Sequence, residues 1–228
     1  MYKFESINYS KFFNNDIKVS QILFNHSFKS LSSDKYREII FKELSINSNH
    51  IAVPKQIHSS QIRWINKSGF YQNTDGLVTD NHKIILFLQT ADCPSIFIFD
   101  KKYNIKGLVH SGWQGTKNKI INNAINLMFG KGSSPLDILI IIGASIHKCC
   151  YEIGVELIDY FDKDCIYFNN NKIYLSLQEQ ILIDLRKLDI PRKNIQIDSQ
   201  CTFMNNKLSS YRRDQDKAGR MLSLLGDY

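Results

Sequence analysis

Two of the six histidines and one of the five cysteines stand where apolar segments end. His58 lies in Gln56-Ile57-His58-Ser59-Ser60. His110 closes Gly107-Leu108-Val109 and precedes Ser111-Gly112-Trp113-Gln114-Gly115. Between them, Thr90-Ala91-Asp92-Cys93-Pro94 follows another apolar segment. Strand ends present reactive side chains on a rigid frame. Two imidazoles and one thiolate suit Zn²⁺, and three protein ligands leave a fourth position open, the catalytic rather than the structural pattern. Zinc in such a site lowers the pKa of a bound water towards ~7. The spacing matches no zinc finger, so a buried free cysteine beside two satisfied histidines is the plainer alternative. A metal-free alternative uses the same residues, with Cys93 as nucleophile and His110 as its base. Asp92, beside Cys93, has the chemistry to orient a ligand or to act as acid and base.

Two further segments have the chemistry of anion sites. Gly112 and Gly115 allow close backbone approach, and Thr116 is expected to open a helix whose N-terminus offers N–H groups and positive potential to a phosphate. A plain strand-to-helix turn is the alternative. Ser210-Tyr211-Arg212-Arg213-Asp214 sets two guanidinium groups on a loop, and arginine clamps phosphate or carboxylate through paired donors. Its alternative is a surface ion pair with Asp214 or Asp216. Gly143-Ala144-Ser145-Ile146 is placed to wrap a ligand, and Tyr151 and Glu152 to line a pocket. Cys149 and Cys150 read as core thiols.

The elements that must bring these groups together are mixed. The chain has 228 residues, 43% hydrophobic and 22% charged, the composition of a globular protein with a substantial core. Four prolines and no Ser/Gly-rich tract argue for one domain. Strands are expected at 62–66, 76–79, 83–88, 95–99, 105–109, 136–142, 194–198 and 221–225. Helices are expected at 34–44 behind a Ser33 cap, from Thr116 to the glycines at 130 and 132, at 155–161, and from a Ser176/Glu179 capping box to Leu188. The segment before residue 33 reads as irregular and aromatic-rich. Strands and helices do not alternate regularly, which argues against a doubly wound sheet and for an α+β fold.

The net charge of +7 favours anionic partners, although a lysine-rich surface explains it equally, and no run of Lys and Arg is dense enough for a nucleic-acid arm. No apolar run reaches the ~20 residues of a membrane span. An odd cysteine count and no signal-peptide pattern point to a soluble protein in a reducing, cytoplasmic setting. Nothing in the sequence sets the oligomeric state.

Six blocks, taken in order, resemble the YfiH-like family, also called the polyphenol oxidoreductase (laccase) family and often described as purine nucleoside phosphorylase. They are Lys55-Gln56-Ile57-His58, Asp75-Gly76-Leu77-Val78-Thr79, Thr90-Ala91-Asp92-Cys93-Pro94, His110 to Thr116, Cys149-Cys150-Tyr151-Glu152-Ile153-Gly154 and Tyr211-Arg212-Arg213. The resemblance implies a metal site of His58, Cys93 and His110 holding Zn²⁺, with Cu²⁺ as the other ion it allows. It implies mixed β-sheets packed between helices in α/β/β/α layers. It also implies phosphorolysis of adenosine, inosine and methylthioadenosine, with adenosine deamination beside it. Under that reading Arg212, Arg213 and the helix start after Gly115 hold phosphate, and Cys93, His110 and Asp92 carry the chemistry. Three departures accompany it: Gln114 where the family has Arg or Lys, Gly143-Ala144 where it has Gly-Pro, and no family arginine around Asn14 to Ser20. The rival readings are a Cys93-dependent amidase on peptidoglycan precursors, a copper-linked polyphenol oxidoreductase, and a nucleotide-binding module without turnover.

Overall fold

Strands whose residues are apolar at nearly every position must be covered on both faces, and that requirement sets the architecture. The computed structural model describes residues 5–23 and 33–228. Its first half contains β1 (Ser6–Asn8), β2 (Lys18–Ile22), α1 (Ser33–Glu43), β3 (Ile51–Pro54), β4 (Ile62–Trp64) and β5 (Gly69–Tyr71). Then follow β6 (Gly76–Thr79), β7 (Ile85–Thr90), β8 (Ser95–Asp100), β9 (Ile105–His110), α2 (Trp113–Lys117) and α3 (Ile120–Phe129). The second half adds β10 (Ile138–Ile142), β11 (Glu152–Ile153), β12 (Ile166–Asn169), β13 (Lys172–Leu175) and α4 (Leu177–Arg186). It ends with β14 (Ile195–Ile197), α5 (Tyr211–Asp214) and β15 (Met221–Gly226).

Two sheets of six strands stack on each other, ordered β1-β2-β15-β7-β3-β5 and β14-β10-β8-β9-β6-β4. Both mix parallel and antiparallel pairs. Side-chain alternation sorts each strand between two cores. In β7, Leu86 and Leu88 face the second sheet, while Ile85 and Phe87 face α1 and its Ile40 and Phe41. In β8, Phe97 and Phe99 face the first sheet, while Ile96 and Ile98 pack under α3 and α4. The result is helix, sheet, sheet, helix, the α+β class expected from the sequence in the layers that the resemblance implied. A third sheet, β11-β13-β12, sits with Phe161 and Leu177 in a satellite core that also takes Trp113 and Tyr151.

Several local expectations are corrected. The N-terminal segment is ordered into β1, a 3-10 turn at Ser10–Phe13 and β2, with Tyr9 and Phe13 buried between the sheets. Thr116 does not cap a helix. It lies inside α2, where its hydroxyl donates to Gly112 O at 3.0 Å, and Lys119 at φ 59° separates α2 from α3. Of the Ser176/Glu179 box only one half forms: Ser176 Oγ accepts from Glu179 N–H, while Ser176 N–H donates to Cys165 O and the Glu179 carboxylate accepts from Lys148 and Tyr167. The segment at 155–161 forms a 3-10 helix, Val155–Tyr160. His26 and the Ser33 and Tyr36 side chains fall outside the described residues. Among the described residues no helix is long and apolar enough to cross a membrane.

Phe97 is fully buried at the centre of the double sheet. Replacing it with alanine should cost about 3–5 kcal/mol, through lost burial and the cavity left behind. Urea unfolding monitored by circular dichroism would measure this, with native secondary structure retained before the transition.

Candidate metal centre

The chain passes from the first sheet to the second three times at one end, between β3 and β4, between β5 and β6 and between β7 and β8. The first crossing carries His58, the second Asp75 and the third Cys93. His110 ends β9, and its register partner across the ladder is Ser95, two residues beyond Cys93. Three residues distant in sequence are thereby brought together: a ligand atom from each of His58, Cys93 and His110 lies within 4.8 Å of the others. The two imidazole rings meet edge to face, with centroids 4.8 Å apart. His110 is buried, Cys93 half-buried and His58 exposed. Gly112 makes room for them. A Cβ there would stand 3.1 Å from Cys93 Sγ and 3.3 Å from His58 Cδ2.

A residue not singled out from the sequence organises this group. Asp75, fully buried just before β6, accepts hydrogen bonds from the N–H groups of Ile57, His58 and Ser59 and from the Ser59 hydroxyl, at 2.7–3.2 Å. Its Oδ1 also accepts from His110 Nδ1 at 2.9 Å. That bond leaves Nε2 as the ring nitrogen free to meet a cation, the carboxylate–histidine arrangement of metal sites. In the sequence it stood only as the first residue of the Asp75–Thr79 block, an acid directly before an apolar strand.

The electrostatics follow from these contacts. Burial pushes the Asp75 carboxyl up, but the donors from His110 and Ser59 outweigh it and hold the pKa at about 2. Burial alone would raise the Cys93 thiol, yet hydrogen bonds and charge from His110 and His58 bring it down to about 7. Burial opposes protonation of His110, and Asp75 and Cys93 overcome it, raising the imidazole to about 9. The donor set of two nitrogens and one sulfur, with the His110 imidazole fixed by a carboxylate, fits a borderline divalent cation such as Zn²⁺.

The group opens onto a cavity of about 520 Å³ whose wall includes Trp113, Tyr151, Tyr211, Arg212 and Arg220. Asp92 lies on the same wall at φ 79°, with both carboxylate oxygens occupied. Oδ1 accepts from Thr202 Oγ1 and Oδ2 from Arg212 N–H, each at 2.6 Å. The arginine pair is split. Arg212 faces the cavity, its Nη1 donating to Glu152 O and its guanidinium lying over the Tyr151 ring. Arg213 turns away, because successive residues of a helical turn point in different directions. Its guanidinium is spent on the carbonyls of Thr202, Phe203 and Leu208 and on Asp214. Arg220, not foreseen, supplies the second cavity cation. Gly115 opens no helix; its Cα packs against the His58 loop, where a Cβ would meet Ser59 O at 3.0 Å. Gln114 is exposed, outside the cavity wall. Cys149 is exposed and Cys150 half-buried, so the expectation of core thiols fails for both.

The fold and the His58–Cys93–His110 group define a double-sheet protein with a candidate metal centre in a cavity of small-molecule size. The chain belongs to the multi-copper polyphenol oxidoreductase laccase family, whose model matches residues 30–226. It is 33% identical over 186 residues to a purine nucleoside phosphorylase of Clostridium acetobutylicum, covering 78% of each chain. It is 30% identical over 176 residues to a purine nucleoside phosphorylase of Aquifex aeolicus, covering 77% of this chain and 82% of that one. The crystal structure of Bacillus licheniformis YfiH shares the fold, with a TM-score of 0.85, 24% identity and 94% of each chain covered.

Asp75→Asn should weaken metal binding at this centre about 10–100-fold, measured by competition with a chromogenic chelator. The same replacement tests the acid dependence of stability. The folded pKa of Asp75, about 2, lies below its ordinary 3.8. Its stabilisation is therefore fully present above about pH 4 and is lost as pH falls through 2, a change of about 2 kcal/mol. Urea unfolding from pH 6 to pH 2 should show this slope in the wild type and lose that part of it in the variant.

Proposed function

We propose that this chain is a metal-dependent enzyme of purine nucleosides, transferring the ribosyl group of adenosine, inosine or methylthioadenosine to phosphate, with adenosine deamination as a second reaction. The observation that carries the reading is the convergence of His58, Cys93 and His110 on a cavity that also presents aromatic rings and two arginines. The names of the Clostridium and Aquifex relatives support it. All five cysteines are free, as a reducing compartment keeps them, so we place the reaction in the cytoplasm.

His58, Cys93 and His110 would hold Zn²⁺, which would supply Lewis acidity at the open side of the group. The remaining roles fall to the chain itself. Trp113, Tyr151 and Tyr211 offer flat apolar faces to a purine. Arg212 and Arg220 bind phosphate, whose oxygen forms the new bond to ribose C1′ while the bond from C1′ to the purine nitrogen breaks. The leaving purine must collect a proton. Tyr151 is a donor on that wall, its phenol held protonated by burial and by the charge of Cys93. Asp92 acts as a positioning residue, fixing the Arg212 backbone rather than meeting substrate.

A second reading rests on one observation. Asp75, His110 and Cys93 form a carboxylate–imidazole–thiol line, and the thiol is drawn down to about 7. That line suits a cysteine hydrolase such as an amidase. His58 stands outside that line, although it shares with His110 in lowering the thiol. His58→Ala should abolish both bound metal and nucleoside turnover if the metal reading holds, and chelator should do the same to the wild type. Turnover that survives chelation and His58→Ala, yet fails in Cys93→Ser, would establish the hydrolase instead. Elemental analysis beside a nucleoside panel, with and without phosphate, is the measurement. Separately, Arg212→Ala should raise KM for phosphate by about 10–100-fold, the loss of one charge-assisted pairing, with metal content unchanged.

A further inference from the structure

A second group of sulfur ligands lies behind the cavity wall. Cys149, Cys150 and Cys201 place all three Sγ atoms within 4.8 Å of one another, and the sulfurs of Cys149 and Cys150 are 3.2 Å apart. The two segments that carry them are fastened together. Ser145 and Cys201 form a parallel bridge, and Thr202 N–H donates to Ser145 O at 3.0 Å. The turn at 147–151 is closed by Cys150 and Tyr151 N–H groups on His147 O. The sulfurs are therefore held by two braced loops rather than by one mobile one.

Cys201 is buried, and the backbone N–H of His147 points at its sulfur at 3.5 Å. Cys149 is exposed, which leaves an entry path. The group contains no carboxylate and no imidazole, so its donors are uniformly soft. Zn²⁺ seeks four ligands in structural sites, whereas three thiolates alone suit a soft monovalent ion.

We propose that Cys149, Cys150 and Cys201 form a second metal site, specific for a soft d¹⁰ monovalent cation of the Cu⁺ type in sulfur-only coordination. It shares no ligand with the His58–Cys93–His110 centre. It stands whether or not the chain acts on nucleosides. Each thiol that binds releases its proton, so affinity rises with pH.

The test uses the full-length Cys93→Ala protein, reduced and anaerobic, so that the first centre does not contribute. Cu⁺ is titrated against a bicinchoninate competitor. The expected result is one tightly bound equivalent, a sulfur-only shell by X-ray absorption and a raised midpoint of thermal unfolding. Adding Cys149→Ser and Cys150→Ser, both at solvent-reached positions, should weaken binding by more than ~100-fold, beyond what loss of a ligand's neighbour does. Cys201→Ser should do the same. The proposal is overturned by unchanged Cu⁺ affinity in the serine variants, by nitrogen in the metal shell, by tighter binding of Zn²⁺ than of Cu⁺, or by a disulfide among the three in the reduced protein.

Discussion

One buried carboxylate decides whether the centre exists. Asp75 binds three consecutive backbone N–H groups of the His58 loop and, through the same oxygens, the ring of His110. The His58 loop crosses between sheets, and His110 ends a strand of the second sheet. Without a common acceptor, nothing would fix the separation of their side chains. Ionised carboxylate is costly to bury, and only a full set of donors offsets that cost. The charge is thus the reason the loop folds back onto β6. The same charge sets the tautomer of His110 and, through it, the acidity of Cys93.

Strain in the backbone tells the same story from the other wall. His58 and Asp92 both have positive φ, at 60° and 79°, where a side chain other than glycine's is disfavoured by roughly 1–3 kcal/mol. Such conformations persist when several contacts determine them. His58 is held by its N–H on Asp75. Asp92 is held by its carboxylate on Thr202 and Arg212 and by its carbonyl, which accepts from Ile146 N–H at 2.8 Å. Two aspartates therefore act alike. Each gathers distant loops around a strained residue next to a sulfur or an imidazole, and neither needs to reach into the cavity to matter.

What could be read from the sequence followed from periodicity. Continuous apolar runs marked β7, β8 and β10, because strands covered on both faces carry no polar alternation to obscure them. The Ser176 cap was equally legible, since its hydroxyl and the Glu179 N–H it accepts from are three residues apart. The short strands β1, β3 and β5 and the small β11–β13 sheet were not, because two to four residues do not establish a period. His58, Cys93 and His110 could be listed from residue type and strand ends, but their convergence depends on two crossings between sheets that no local pattern encodes. Asp75 was hidden for the same reason: its partners lie 16 to 35 positions away. Arg212 and Arg213 looked alike as neighbours, and only a helical turn separates a cavity cation from a loop clamp.

The cavity wall shows why recognition should depend on the whole chain rather than on the three ligands. Gln56 grips the backbone of Gln89 in both directions, its amide donating to Gln89 O at 2.8 Å and accepting from Gln89 N–H at 3.0 Å. The side chain of Gln89 is left with a buried Nε2 that has no partner among the described residues, and it lies on the cavity wall. A buried donor left unmet is costly, so a ligand that offers an acceptor there gains more than one that does not. Arg212 and Arg220 come from the C-terminal segment, while the Gln89 amide comes from β7 and Trp113 from α2. A ligand that met all of them would offer anionic charge to the arginines, an acceptor to Gln89 and a flat face to Trp113, and the double sheet is the frame that holds those groups on one wall.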